Sequence, residues 1–192
     1  MRSEATNRAM PGLPDAKNRA EHDYYRTPRR AVEALLNVET FEGRGWEPAC
    51  GDGAISEIFE ERGLSLHSTD LIDRGYGSRQ LDFLSLRTVD FPTVSYVVTN
   101  PPFKLAQPFA ERALEVATNK VAFLCRTLWV EGMKRQAFFI ANRPARIWVF
   151  SKRVNVARAG DARWRDGEGG MVSFSWFVWD KNHTGKTELD WL

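Results

Sequence analysis

Tyr96-Val97-Val98-Thr99 runs directly into Asn100-Pro101-Pro102-Phe103, and that junction limits the folds open to this chain more than any other stretch. A short β-branched run of this kind reads as a buried strand. Two successive prolines can neither extend a ladder nor continue as a helix, and each holds φ at about −65°. Asn100, standing before a proline, is itself confined to extended backbone. The strand therefore ends in a stiff corner that presents an amide side chain, backbone carbonyls and an aromatic ring. The carboxyl ends of strands are where open α/β sheets bind ligands. Such a corner suits the holding of an exocyclic amine by two acceptors while a ring stacks on its π-face. A plain Pro-rich turn after a strand is the alternative.

Around this corner apolar strands alternate with amphipathic helices. Thr27-Pro28 reads as a helix start, with a hydroxyl N-cap and proline at the first helical position, and Ala31, Val32, Leu35 and Leu36 follow at helical spacing. Strands are expected over 45–50, 66–71, 81–84, 96–99, 120–128, 146–150 and 171–179. Ile55, Ile58 and Phe59 mark one intervening helix, and 107–118 and 132–142 are two more. Helices between the earlier strands predict parallel pairing with right-handed crossovers. No helix separates the sixth and seventh strands, which predicts antiparallel neighbours. The fold class is α/β and Rossmann-like, a seven-stranded, mostly parallel sheet with an antiparallel last strand and helices on both faces.

A chain of 192 residues, 43% hydrophobic and 12% aromatic, reads as one globular domain with a full core. Residues 1–20 are polar and aperiodic and read as a flexible arm, leaving 21–192 as the single domain. The net charge of +2 does not announce a nucleic-acid binder, so such a role must rest on local patches. Cys50 and Cys125 lie far apart, and His22, His67 and His183 make no ligand spacing. Neither a disulfide framework nor a metal site is expected, and a reducing cytoplasm is the default. With no membrane-length apolar run and no secretory leader, a soluble cytoplasmic protein is expected.

Three ordered features precede the corner. Glu47-Pro48-Ala49-Cys50-Gly51-Asp52-Gly53 lies between the first strand and its helix. Small residues there admit a ligand close to the backbone, and a helix N-terminus follows. A G-x-G turn also opens ordinary dinucleotide sites. Asp70, with Leu71 after it, ends the second strand about 20 residues later, where a carboxylate accepts from ribose hydroxyls or is merely a solvated terminus. Asp82-Phe83 offers an acceptor and a ring to an adenine, or else a capping Asp beside a core Phe. The order of the series is more specific than any member.

That series, closed by Asn100-Pro101-Pro102-Phe103, resembles the S-adenosylmethionine-dependent amino-methyltransferases of DNA, in particular the N6-adenine branch, over about residues 23–181. The resemblance implies a class I methyltransferase domain that transfers methyl to the N6 amine of a flipped adenine, leaving S-adenosylhomocysteine and needing no metal. It implies cofactor contacts from Tyr25, Thr27, Pro28, Glu47, Pro48, Ala49, Gly51, Gly53, Asp70, Leu71, Asp82, Phe83 and Asn100. The catalytic corner would be Asn100, Pro101, Pro102 and Phe103. Ala49 stands where many methyltransferases carry another glycine. Cofactor motifs come before the catalytic corner, an order that resembles the γ arrangement. Restriction-type members carry a separate target-recognition domain, which is not expected here. The chain more closely resembles the compact phage and prophage enzymes of a bacterial or infected host cell, acting as monomer or homodimer. The same corner occurs in enzymes that methylate RNA (guanine N2 or adenine N6) or a protein glutamine amide. A non-catalytic cofactor- or DNA-binding subunit is a further alternative.

Substrate DNA needs a basic face. Arg143, Arg146, Lys152, Arg153, Arg158, Arg163 and Arg165 face a single acid, Asp161, across residues 143–165. Arg163-Trp164-Arg165 suits phosphate contact with an aromatic wedge; a solvated loop with Trp164 folded onto the core is the plainer reading. Phe103, Lys104, Arg126, Arg153, Arg158, Arg163, Trp164 and Arg165 are the candidate DNA contacts. Lys134 and Arg135 extend the same surface.

Overall fold

The computed structural model describes residues 24–85, 93–158 and 172–192. The expected arm at 1–20 and the Arg163-Trp164-Arg165 cluster lie outside the described residues.

An eight-stranded sheet organises the chain. It contains β2 (Arg44–Glu47), β3 (Ser65–Asp70), β4 (Arg79–Gln80), β5 (Val94–Thr99), β6 (Ala117–Arg126), β7 (Arg146–Val149), β9 (Phe174–Asp180) and β10 (Glu188–Trp191). Their spatial order is β10-β7-β9-β6-β5-β2-β3-β4. All neighbours are parallel except β9, which runs antiparallel to both β6 and β7. The antiparallel pairing of the sixth and seventh expected strands is thus observed. A separate two-stranded ribbon joins β1 (Tyr25–Arg26) to β8 (Ala157–Arg158), with Tyr25 opposite Arg158.

Both faces of the sheet are covered, as the side-chain parity requires. Val97, Val121, Phe123 and Phe177 pack with Phe109, Ala110 and Ala113 of α3 (Ala106–Val116) and Phe138 of α4 (Met133–Ala141). The alternate residues Tyr96, Val98, Ala122, Leu124 and Trp176 pack with Ala31, Val32 and Leu35 of α1 (Arg29–Val38). Ile58 and Phe59 of α2 (Ser56–Glu61) complete that layer. Trp176 Nε1 donates to the Ala31 carbonyl at 2.8 Å, pinning α1 to the sheet centre.

The structure corrects several expected elements. Strand pairing occurs at β4, Arg79–Gln80, and 81–85 is turn or loop, because β3 ends its ladder at Asp70 opposite Gln80. The sheet has eight strands rather than seven. β10 pairs with β7 through the backbone, and its four residues, Glu188-Leu189-Asp190-Trp191, are exposed and too short a run for the expected strands to have included them. Thr27 does not cap α1: Pro28 occupies the N-cap position with no side-chain cap bond, and the Thr27 hydroxyl is engaged elsewhere. The fifth strand stops at Arg126, the last residue paired with β9, and a 3-10 turn takes over at Thr127–Val130.

At the amino-terminal end of β6 and β7 lies a closed ionic cluster. Lys120 Nζ donates to Glu39 Oε2 at 2.7 Å. Arg146 bridges Glu39 and Asp180, and Trp148 Nε1 donates to Glu39 Oε1 at 2.9 Å. This end is opposite the carboxyl edge, so the cluster belongs to the scaffold. Among the described residues no helix is long and apolar enough to cross a membrane.

Candidate active site

The carboxyl ends of β2, β3 and β5 open onto one cleft. Its walls include Tyr25, Thr27, Glu47, Pro48, Ala49, Asp70, Leu71, Asp82, Phe83, Asn100 and Pro102. Tyr25 and Asn100, 75 positions apart in sequence, thus share one surface, at the place where an open α/β sheet binds its ligand. Pro28, Gly51, Gly53 and Pro101 stand outside the walls.

Asn100 is fixed in one orientation. Its Nδ2 donates to the Tyr25 carbonyl at 3.0 Å and to Thr27 Oγ1 at 3.1 Å. A carbonyl can only accept, so the nitrogen must face it, and the amide oxygen must point away. That oxygen is buried with no hydrogen-bond partner among the described residues. A buried unpaired acceptor is costly and uncommon, and a ligand donor satisfies it. The Pro102 carbonyl is already taken by Leu105 N at 2.8 Å, where the chain turns into the 3-10 segment Phe103–Leu105.

The glycine loop works differently from the sequence expectation. Gly51 and Gly53 have φ of +58° and +87°, which other residues rarely adopt. The space that ligand backbone contact would need is filled by aromatic rings. A Cβ on Gly51 would meet Tyr24 at 2.4 Å, and one on Gly53 would meet Tyr76 at 2.5 Å. These glycines therefore shape the loop and seat two tyrosines. Asp70 secures the loop: Oδ2 accepts from Gly51 N at 2.8 Å and Oδ1 from Ile72 N at 2.9 Å. Each carboxylate oxygen keeps further acceptor capacity.

The cleft is acidic. Glu47 is 1% exposed and accepts from the Ser56 hydroxyl. Burial pushes its carboxyl well above the usual carboxylate range; Ser56 opposes this, while the charges of Asp70 and Asp52 add to it. The thiol of Cys50 is pushed up to about 12 by burial and by Glu47 and Asp70, so it stays protonated and is no nucleophile. Asp82 is exposed and folds its Oδ1 onto Leu84 N at 3.0 Å. Phe83 is buried edge-on to Trp46, ring centroids 4.9 Å apart.

The polar side chains of Tyr24, Arg26, Asp52 and Arg74 also line the walls and are not among the expected cofactor contacts. Arg26 pairs with Asp52 at 2.7 Å. Arg74 lies over the Tyr24 ring at 4.1 Å, and the Tyr24 hydroxyl accepts from Asp52 N at 3.2 Å. Burial and Asp52 push the Tyr24 phenol up to about 12. Only Asp52, between two glycines, offered a signal.

Phe103 lies on the far side of the corner. It stacks on Tyr25 at 5.1 Å with planes 21° apart, and the Arg126 guanidinium sits 4.8 Å from its centroid. Phe103, Lys104 and Arg126 share a second cleft with Arg135. Arg153 is exposed and is not among the residues of either cleft. Arg158 is placed by its backbone in β8 opposite Tyr25. Among the described residues no group of three or more His, Cys, Asp or Glu side chains forms a metal site.

The chain matches no protein-family model and no curated protein. Among solved structures its fold is that of class I methyltransferases. A provisionally described class I S-adenosylmethionine-dependent methyltransferase from Listeria monocytogenes is 15% identical, with a TM-score of 0.59 over 87% of this chain and 65% of its own. A provisionally described RNA methyltransferase from Pyrococcus horikoshii is 14% identical, with a TM-score of 0.60 over 83% and 88%. The modification subunit of a provisionally described type I restriction enzyme from Vibrio vulnificus is 17% identical, with a TM-score of 0.57 over 85% and 45%. The chain thus spans less than half the length of that subunit. At these identities the likeness is one of fold.

Proposed function

We propose that this chain is an S-adenosylmethionine-dependent methyltransferase acting on the N6 amine of adenine in DNA, with residues 21–192 forming its catalytic domain. One observation carries the reading. The Asn100 amide is locked through its nitrogen and leaves a buried oxygen, without a partner among the described residues, at the corner between an acidic cleft and an aromatic ring.

The cleft fits the cofactor by charge and by donor count. S-adenosylmethionine carries a sulfonium and an ammonium, and Glu47, Asp52 and Asp70 line the same walls. Its ribose hydroxyls and amines are donors, and the cleft holds an acceptor for them: the buried Asp52 Oδ1 has no partner among the described residues. When bound, the sulfonium supplies an already activated methyl group. The protein's part is position and electrostatics. Asn100 Oδ1, with the Pro101 carbonyl beside it in the chain, accepts from the substrate amine and favours the pyramidal nitrogen that develops as the new bond forms. Phe103 stacks on the target base in place of one of its present neighbours, Tyr25 or Arg126, once the base has left the duplex at a cost of a few kcal/mol. Stacking worth roughly 1–3 kcal/mol offsets part of that cost.

Radiolabelled methyl transfer to DNA, RNA and protein mixtures tests the reading, with digestion to identify the modified unit. N6-methyladenine in DNA is the expected product. Label in RNA or on a protein glutamine moves the substrate assignment. Cofactor binding with no label anywhere makes the chain an accessory subunit.

A further inference from the structure

The second cleft adjoins the corner on the side away from the acidic one. It lies between Phe103-Lys104, which follow β5, and Arg126, the last residue of β6, with Leu128 and Arg135 on the far wall. Among the described residues that line it, Lys104, Arg126 and Arg135 are cationic and none is acidic. The first cleft is mixed, with the carboxylates Glu47, Asp52, Asp70 and Asp82 and the cations Arg26 and Arg74 among its walls. The Asn100–Phe103 corner stands on the boundary.

Arg126 is the informative member. Its guanidinium lies over Phe103, and its Nε is buried with no hydrogen-bond partner among the described residues. Arg135 by contrast donates to the Leu128 and Trp129 carbonyls, at 3.4 and 2.9 Å, which holds its charge in place. A buried guanidinium N–H without an acceptor calls for an anionic oxygen, and guanidinium matches phosphate geometry closely. An aromatic platform beside a cationic wall is the arrangement that grips a single strand by stacking and by phosphate contact.

We propose that this cleft is a phosphodiester-binding subsite. Arg126 and Lys104 seat the nucleic-acid backbone next to the base that stacks on Phe103. The assignment rests on the nucleic-acid reading of the Asn100 site and deepens it, since a protein glutamine substrate has no use for such a wall.

The test is fluorescence anisotropy of short, mixed-sequence single-stranded DNA, and of RNA of the same sequence, across a salt series. Arg126→Gln and Lys104→Ala are compared with wild type. Lys181→Ala is the charge control, as Lys181 lies past Asp180 at the opposite end of β9. Removing one cation that pairs with a phosphate should reduce the slope of log K against log salt by about 0.7. Lys181→Ala should keep the wild-type slope, and S-adenosylhomocysteine affinity should hold in all three. Wild-type slopes in both cleft variants overturn the subsite. Lys104 is exposed, so its variant decides the matter if Arg126→Gln misfolds. Methyl transfer by wild type to genomic DNA and total RNA separates the two ideas. Transfer with unchanged slopes rejects the subsite alone. Reduced slopes without transfer support the subsite and reject the methyltransferase reading.

Discussion

Asn100 Nδ2 donates to the backbone carbonyl of Tyr25 at 3.0 Å, joining the end of the central strand β5 to a ribbon 75 residues earlier in the chain. The bond uses the donor half of the amide and leaves only the acceptor half for chemistry. Thr27 Oγ1 repeats the restraint at 3.1 Å. The same ribbon presents Tyr25 to Phe103, so β1 braces both functional side chains of the corner.

Asn100→Ala removes the acceptor and should lower kcat by about 10²–10³, as the loss of one preorganised oxyanion-hole partner does. S-adenosylhomocysteine affinity, measured by calorimetry, should stay near wild type. Wild-type turnover in the mutant would mean that the amine is held elsewhere.

Thr27 acts through Asn100, as a positioning residue. Thr27→Val keeps the shape and removes the acceptor, so kcat should fall while KM for substrate stays nearly constant. Thr27→Ser should restore kcat. If Val and Ser variants behave alike, the hydroxyl does not orient the amide.

Asp70→Ala should weaken cofactor binding and loosen the glycine loop together, because the carboxylate accepts from Gly51 N and Ile72 N. Hydrogen bonds to a charged group are worth roughly 1.5–3 kcal/mol each. Calorimetry and thermal melting should therefore both report a loss. Unchanged affinity in a folded mutant would remove Asp70 from the site.

Glu47 should couple cofactor binding to pH. Burial raises its carboxyl, so it holds a proton where ordinary carboxylates are ionised. A cationic ligand favours the ionised form, so binding releases protons and tightens as pH rises. Calorimetry in buffers of different ionisation heat should detect this release in wild type and not in Glu47→Gln.

Glu39 sets acid stability. Burial alone would raise its carboxyl, but hydrogen bonds from Arg146, Lys120 and Trp148 outweigh it and hold the group below its usual value. Asp180 is lowered in the same way, burial being outweighed by Arg146 and the Asn182 amide. Depressed folded values mean that this stabilisation is present above the unfolded value of about 4. It is lost as pH falls through the folded ones. Glu39→Ala leaves the buried Lys120 and the half-buried Arg146 to share Asp180 as their one acidic partner among the described residues and should cost about 3–5 kcal/mol in denaturant unfolding at neutral pH. It should also flatten the acid limb. An unchanged midpoint would show that the cluster is dispensable.

The sequence by itself determined the elements whose signal is local. Near-continuous apolar runs in β5, β6 and β9 and two prolines after Thr99 fix the strands and the corner, because short-range sterics and burial suffice. The order of Glu47, Asp70, Asp82 and Asn100 also foretold one cleft, since parallel strands deliver their carboxyl ends to one edge. Only the tertiary structure decided what each group is free to do. The Asn100 oxygen is the available half because a carbonyl from a distant ribbon claims the nitrogen. The glycines serve Tyr24 and Tyr76 because those rings arrive from other segments. β10 exists because β7 offers an open ladder to a short, exposed segment that buries no face of its own. Pairing and competition for hydrogen bonds are properties of partners brought together by the fold, and no window of sequence contains both.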